Sequence, residues 1–293
     1  MRGATRWWAR GKPYGMAGLV RLLPLSAALA AVDHFGRLYA QAALRERWLP
    51  LPAAALAFPS ELGRLLGTTA GSADRARQIE EYLAGVLTNE LLVTALDARP
   101  ASDYRSLLRS IDVRGREHLD RALRGGRGLL LVSAHFGFPY AIQPVVAGLG
   151  VPWVAVGVPR PHADRLAVTA DIWTRARVLH QLETELANDH LGIMLVDGRQ
   201  GEAIRLPFLH GEVTIALGAF ILAQRIRSPL VPFFVVAPDR PPRFRVEFGP
   251  PLTIPVGTGV RAAREPVEEF VQIYRAYVEQ YPTHCRPDRL RPG

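Results

Sequence analysis

Short apolar runs alternate with helix-like segments in the second part of the chain, and this alternation limits the fold more than any other feature. Such runs of strand length cover 128–134, 151–158, 192–197 and 230–237, and a fifth strand is predicted over 243–248. Between them, apolar residues recur at helical spacing. Strands that alternate with helices predict a sheet with helices on both faces. We therefore predict an α/β fold with a mixed, mostly parallel central sheet flanked by helices, preceded by an N-terminal helical segment that associates with a membrane.

Two regions are predicted, and together they form one structural domain. Residues 1–110 form a helical region, with a membrane-associating helix and helices that pack against it, and residues 111–293 form the α/β core. The strongest helix prediction in the first region covers residues 72–97, where apolar residues recur at helical spacing. Asn89 and Glu90 lie within this helix and are interpreted as part of its solvated face.

The charge of the chain is basic and is carried almost entirely by arginine. The formal net charge of the 293 residues is +9, and Lys12 is the only lysine. Arginine binds phosphate and carboxylate groups in a bidentate manner. The excess is compatible with an anionic membrane surface, a phosphorylated substrate or nucleic acid. Because Cys285 is the only cysteine, an intrachain disulfide and a multi-cysteine metal site are excluded.

The N-terminus has the composition of a segment that lies at a membrane interface. Trp7 and Trp8 stand among basic residues, and an apolar stretch over 16–32 follows, interrupted by Arg21 and Pro24. We predict an amphipathic or marginally inserted helix here. It would hold the protein on the cytoplasmic face of the inner (cell) membrane, as a peripheral protein or by a single N-terminal anchor. A secretory signal peptide and a soluble core helix are the alternatives.

One apolar run ends at a histidine, which is a candidate catalytic residue. The strand predicted over 128–134 leads directly into His135, and a turn rich in glycine and proline follows. In open α/β sheets, sites are found at the carboxyl ends of the strands. Asp197 ends another apolar run and is expected at the same edge. The alternatives are a satisfied core histidine at the tip of a strand and an aspartate that caps a turn.

Five segments, in order, resemble the sequence blocks of a known family. The strand that runs into His135 resembles a His-x4-acid block, and residues 196–201 resemble an Asp-Gln block. Residues 206–214 resemble a Pro-Phe-Phe-Gly block, and residues 228–234 resemble an apolar strand that contains proline. Residues 281–286 resemble a Pro-x-x-Trp segment but lack its tryptophan. Over residues 15–288 the chain resembles the lipid A biosynthesis (lauroyl/myristoyl) acyltransferases of the lysophospholipid acyltransferase superfamily.

This resemblance implies acyl transfer at a membrane surface. A hydroxyl or amine of a lipid or glycolipid would attack an acyl thioester carried on acyl carrier protein or CoA. His135 would be the general base, because an uncharged hydroxyl is a poor nucleophile until a positioned base takes its proton. The resemblance implies neither a cofactor nor a metal. Nucleic acid is not an expected partner, because the arginines are spread along the chain and no basic and aromatic binding module is present.

The chain departs from the family pattern at the acid. Five positions after His135, where the family has a carboxylate, this chain has Tyr140. A tyrosine carries no charge at neutral pH that would stabilise an imidazolium. Asp197 is the first candidate to supply the missing carboxylate. The alternative is a non-catalytic relative that binds lipid or supports a partner enzyme.

Other polar residues are candidates for substrate contacts. Tyr140 is one, because it stands next to the expected site. Arg199 and Arg205 would bind a phosphate or an acidic carrier protein, although solvated surface arginines are an equal alternative. Thr214 is expected to cap an apolar helix over 214–227, whose N-terminus would favour an anion.

Overall fold

The computed structural model describes residues 22–46, 49–98, 108–109, 111–157, 165–167, 172–198, 201–254, 259–286 and 290–292. The α-helices are α1 (Leu25–Arg45), α2 (Ala53–Leu66), α3 (Ser72–Ala98), α4 (Arg116–Leu123), α5 (Ile142–Ala147), α6 (Ile172–Ala187), α7 (Gly218–Ile226) and α8 (Val260–Gln280). Short 3-10 helices cover Pro139–Ala141 and Pro282–His284. The strands are β1 (Ile111–Arg114), β2 (Leu129–Ser133), β3 (Trp153–Gly157), β4 (Arg165–Ala167), β5 (Leu191–Leu195), β6 (Ala203–Phe208), β7 (Gly211–Ala216), β8 (Leu230–Val236), β9 (Phe244–Phe248) and β10 (Leu290–Pro292).

A mostly parallel sheet forms the centre of the molecule. Within the described residues it has seven strands, in the order β1-β9-β8-β2-β5-β3-β4. All neighbouring pairs with a defined register run parallel, except that β8 and β9 are antiparallel. A smaller antiparallel sheet has the order β10-β7-β6. The prediction of a mixed, mostly parallel sheet flanked by helices is confirmed, whereas the division into two regions stays a prediction.

The central strand β2 is apolar from Leu129 to Val132 because helices cover both of its faces. All of its residues are buried, and successive side chains point to opposite sides of the sheet. Leu129 and Leu131 pack in a core with α1, α3, α4 and α5, whereas Leu130 and Val132 pack in a core with α2, α6, α7 and α8. Both ends of β2 are therefore held in a fixed position relative to the helices.

Helix α1 begins one residue after Pro24 and packs closely along α3. Proline is suited to a helix start, because its fixed φ and missing N–H fit the first turn. A Cβ on Gly36 would lie 2.8 Å from the Cα of Ala84, so the close approach of the two helices requires glycine there. Of the helix predicted over 16–32, residues 16–21 lie outside the described residues, and the described part continues to Arg45. No helix in the described ranges is both long and apolar enough to cross a membrane.

The helix predicted over 214–227 is wrong in its first part. Strand β7 covers Gly211–Ala216 and pairs with β6, and α7 begins only at Gly218. Val213 and Ile215 are buried, so the same apolar residues satisfy the period of a strand as well as that of a helix. Pairing with β6 decides for the strand. Thr214 therefore lies within β7 and does not cap the helix.

Candidate active site

The register of two neighbouring strands brings His135 and Asp197 together. Strands β2 and β5 are parallel, and Ser133 at the end of β2 lies opposite Leu195 at the end of β5. His135 and Asp197 each follow their strand end by two residues, so they emerge side by side at the carboxyl edge of the sheet. The backbone continues the pairing beyond the strands, because the N–H of Val196 donates to the carbonyl oxygen of Ser133 at 2.8 Å.

Asp197 contacts His135 through one carboxylate oxygen. Asp197 Oδ1 accepts a hydrogen bond from the backbone N–H of His135 at 2.8 Å and lies 2.8 Å from the ring nitrogen Nδ1. An ionised carboxylate only accepts hydrogen bonds, so Nδ1 is the donor in this contact, and the lone pair of a neutral imidazole is then on Nε2. The contact therefore fixes both the tautomer and the orientation of the imidazole.

Burial differs sharply across this pair. The side chain of Asp197 is fully buried, whereas that of His135 is 30% exposed. The second oxygen of Asp197, Oδ2, is also buried and accepts no hydrogen bond from the described residues. A buried carboxylate with so few donors depends strongly on the groups that it does contact. The imidazole of His135 is thus both the accessible end of the pair and the main electrostatic partner of the buried acid.

The turn after His135 is fixed by backbone hydrogen bonds and requires glycine. Gly137 has a φ of +58°, and a Cβ on it would lie 2.1 Å from the carbonyl oxygen of Val235 in β8. The N–H of Gly137 donates to the carbonyl oxygen of His284 at 2.9 Å, and the N–H of Phe138 donates to that of Val235 at 2.9 Å. The chain that leaves His135 is therefore tied both to β8 and to the C-terminal 3-10 helix.

Asn89 contacts the turn of this site, although its place in the predicted helix indicated a solvated face. That interpretation is wrong for Asn89 and fits Glu90, which is exposed. Asn89 is buried, and its Nδ2 donates to the carbonyl oxygen of Gly137 at 2.7 Å. Asn89 and Gly137 are 48 positions apart, so the sequence does not indicate their contact. The one available signal was an asparagine among the apolar residues of a helix face.

Three of the four predicted substrate residues lie within the described part of the chain. Tyr140 is half-buried in the 3-10 helix after the turn. Arg205 and Thr214 face each other across β6 and β7, with Arg205 exposed. The hairpin that they form is joined to the segment of Asp197, because the N–H of Ala216 donates to the carbonyl oxygen of Val196 at 2.8 Å. Arg199 lies outside the described residues. Contacts of these four residues with a substrate stay predictions.

The chain was compared with protein-family models, curated proteins and solved structures. No protein-family model matches the chain. No curated protein matches it either. Among solved structures, the chain is similar to the crystal structure of the 1-acyl-sn-glycerophosphate (LPA) acyltransferase PlsC from Thermotoga maritima, with a TM-score of 0.38 and 14% sequence identity. That similarity covers 84% of this chain and 97% of the other.

Proposed function

We propose that the protein is an acyltransferase of the lysophospholipid acyltransferase superfamily. It moves a fatty acyl group from a thioester on acyl carrier protein or CoA to a hydroxyl or amine of a lipid or glycolipid. The observation that supports this most strongly is the contact of 2.8 Å between Asp197 Oδ1 and His135 Nδ1. It gives a partly exposed imidazole the tautomer that a general base needs, at the carboxyl edge of the sheet.

In the proposed reaction, His135 moves one proton and stores it between two steps. Nε2 takes the proton of the acceptor hydroxyl or amine while its oxygen or nitrogen attacks the thioester carbonyl carbon. The carbonyl oxygen becomes an oxyanion, and Asp197 stabilises the imidazolium that has formed. The oxyanion then collapses, the C–S bond breaks, and the imidazolium returns the proton to the leaving thiolate. The acceptor is acylated, a free thiol is released, and the enzyme is regenerated.

We further propose that Asp197 takes the role of the acid that the family places five residues after the histidine. Tyr140 occupies that position in this chain. A carboxylate supplied from the neighbouring strand reaches the same ring nitrogen, so the substitution leaves the charge of the pair intact. This favours the catalytic proposal over a non-catalytic lipid-binding relative, since that alternative rested on the missing acid.

Substrate contacts are proposed for four residues. Arg199 and Arg205 would bind phosphate groups of the lipid or acidic side chains of the carrier protein. Tyr140 and Thr214 would contact the acceptor or the acyl donor beside His135. The support is the exposure of Arg205 and the attachment of its hairpin to the segment of Asp197.

A direct transfer assay tests the proposal. Purified protein is incubated with an acyl donor, which is either acyl-CoA or acylated acyl carrier protein with a radiolabelled acyl group. The acceptor is a lysophospholipid or a glycolipid, and the glycolipid is tested with and without phosphate groups. We expect label to appear in an acceptor lipid in proportion to enzyme, with one free thiol released for each acyl group transferred. Thiol release without an acylated lipid would indicate a thioesterase and contradict acyl transfer. The proposal would also be contradicted if the folded protein gave no turnover with any combination of acyl donor and acceptor.

A membrane-facing surface is proposed on α1. Ala27, Ala31, Phe35 and Leu38 are exposed and follow one another at helical spacing, so they form an apolar stripe along the helix. Phe35 is 56% and Leu38 is 50% exposed. Exposed apolar stripes of this kind mark interaction sites, and the basic segment with Trp7 and Trp8 precedes this helix in sequence. We propose that the stripe lies in the interface of an anionic bilayer.

Phe35→Asp and Leu38→Asp test this surface in sedimentation with vesicles of neutral and anionic phospholipid. Each variant is expected to bind vesicles at least about fivefold more weakly, because burying half of such a side chain contributes about 1 kcal/mol. Val260→Asp is the control, because Val260 is an exposed apolar residue on α8, which packs on the opposite face of the sheet. Binding of both stripe variants equal to that of the wild type would refute the proposal.

A further inference from the structure

The turn that follows His135 is held by hydrogen bonds to two distant segments of the chain. Both backbone polar groups of Gly137 are used: its carbonyl oxygen accepts from Asn89 Nδ2 of α3, and its N–H donates to the carbonyl oxygen of His284. The ring of His284 acts as well, because its Nε2 accepts the N–H of Ala237 at 3.1 Å, directly after β8. These bonds join α3, the turn and the C-terminal 3-10 helix.

The imidazole of His284 has the neutral form that is needed to accept the N–H of Ala237. Burial, and to a smaller extent the positive charge of Arg37, lower its pKa to about 4. The imidazole is therefore neutral at neutral pH, and its Nε2 lone pair is available to accept the N–H of Ala237. The ring also lies edge to face with Phe138, with ring centroids 5.5 Å apart. Its position is fixed by packing as well as by the hydrogen bond.

Hydrogen bonds matter here because packing on one side of the turn is incomplete. A cavity of about 420 Å³ lies against the turn, and Gly85, Asn89, Gly137, Phe138 and His284 are among the residues that line it. A Cβ on Gly85, in the middle of α3, would meet no atom within 4 Å. Gly137 and Asn89 both border this cavity, so the bond from Asn89 restrains the turn on the side of the cavity.

We propose that Asn89 and His284 are positioning residues, which hold the Gly137 turn and thereby aim the imidazole of His135 at its substrate. This inference rests on the proposed acyl transfer. A misplacement of about 1 Å in a catalytic group lowers a rate by as much as about 100-fold. The bonds act only through the backbone after His135, so their loss is expected to change the rate of chemistry and to leave substrate affinity nearly unaffected.

Asn89→Leu removes the donor and keeps a side chain of similar size. We expect kcat to fall about 10- to 100-fold, with the KM for the acyl donor within about twofold of the wild type. Thr88→Val is the matched control, because Thr88 is equally buried in α3 and its Oγ1 makes no hydrogen bond with the described residues. Equal kcat losses in both variants would indicate general loosening of α3, and an unchanged kcat in Asn89→Leu would refute the role of Asn89.

His284 gives a second, independent pair of variants. His284→Phe keeps an aromatic ring against Phe138 but cannot accept the N–H of Ala237, whereas His284→Gln keeps an acceptor oxygen. We expect kcat to fall in His284→Phe and to recover at least partly in His284→Gln. A loss that is equal in both variants would contradict the proposed hydrogen-bond role.

A spectroscopic measurement separates this inference from the proposed function. In the wild type, the Nδ1 proton between His135 and Asp197 should give a low-field proton resonance, identified by its absence in His135→Gln. We expect Thr88→Val to retain this resonance and Asn89→Leu to broaden or lose it, whether or not any transfer is detected. If Asn89→Leu keeps it unchanged, the turn does not depend on Asn89 and the inference is refuted. If no acyl transfer is detected but the resonance is still broadened or lost in Asn89→Leu, only the proposed activity is refuted.

Discussion

Replacement of His135 by alanine is expected to lower kcat for acyl transfer on the order of 10³–10⁴-fold. The variant has no group at Nε2 that can take the acceptor proton and return it to the leaving thiolate. It also leaves the fully buried carboxylate of Asp197 without the ring N–H that it contacts. Stability is therefore expected to fall together with activity, and the two effects have to be separated.

His135→Asn separates them. Its amide N–H occupies a position close to that of Nδ1 and is able to donate to Asp197, but a carboxamide is too weak a base to take up a proton at neutral pH. We expect His135→Asn to unfold at a denaturant concentration near that of the wild type and to transfer acyl groups as slowly as His135→Ala. The measurement is a single-turnover assay on all three proteins, with chemical denaturation as the folding control. Transfer within tenfold of the wild type in His135→Asn would contradict a general-base role.

Replacement of Asp197 by asparagine is expected to lower kcat on the order of 10²–10⁴-fold, because a neutral amide neither fixes the productive tautomer nor stabilises the imidazolium. The side chain keeps its shape and is still able to accept the backbone N–H of His135. The fold should therefore survive, and the loss should appear in kcat more than in the KM for either substrate.

Asp189→Asn is the matched control for this variant. Asp189 stands at the opposite, amino edge of the same two strands, where its Oδ1 accepts the N–H of Gly128 at 3.1 Å. Asp189 has a φ of +61°, a conformation that asparagine adopts readily. We expect Asp189→Asn to have the kcat of the wild type. A similar loss of kcat in both variants would mean that any carboxylate at these strand ends affects the sheet, and that Asp197 has no special role.

The innermost strands of the central sheet were predictable because each is a nearly continuous apolar run. Burial on both faces removes the alternation that a half-exposed strand would show, and β2 and β8 have this pattern. The hairpin of β6 and β7 was missed, because the apolar residues from Val213 onwards fit both periods. Only pairing with β6, a contact that local sequence does not encode, makes that segment a strand.

The site was predictable in its residue types and not in its geometry. His135 and Asp197 were both expected after strand ends, but their contact depends on β2 lying next to β5 and on Ser133 lying opposite Leu195. A shift by one residue would turn one side chain to the other face of the sheet. Asn89 left no comparable signal, because its partner is a backbone carbonyl group on a distant turn.

A double-mutant cycle on the two residues tests their joint action most directly. Single-turnover acyl transfer is measured for the wild type, His135→Ala, Asp197→Asn and the double variant. Asp197 acts only through the imidazole in the proposed mechanism, so the double variant should be no slower than His135→Ala alone. If Asp197→Asn instead slows His135→Ala by the same factor by which it slows the wild type, the two residues act independently, and the proposed catalytic pair does not exist.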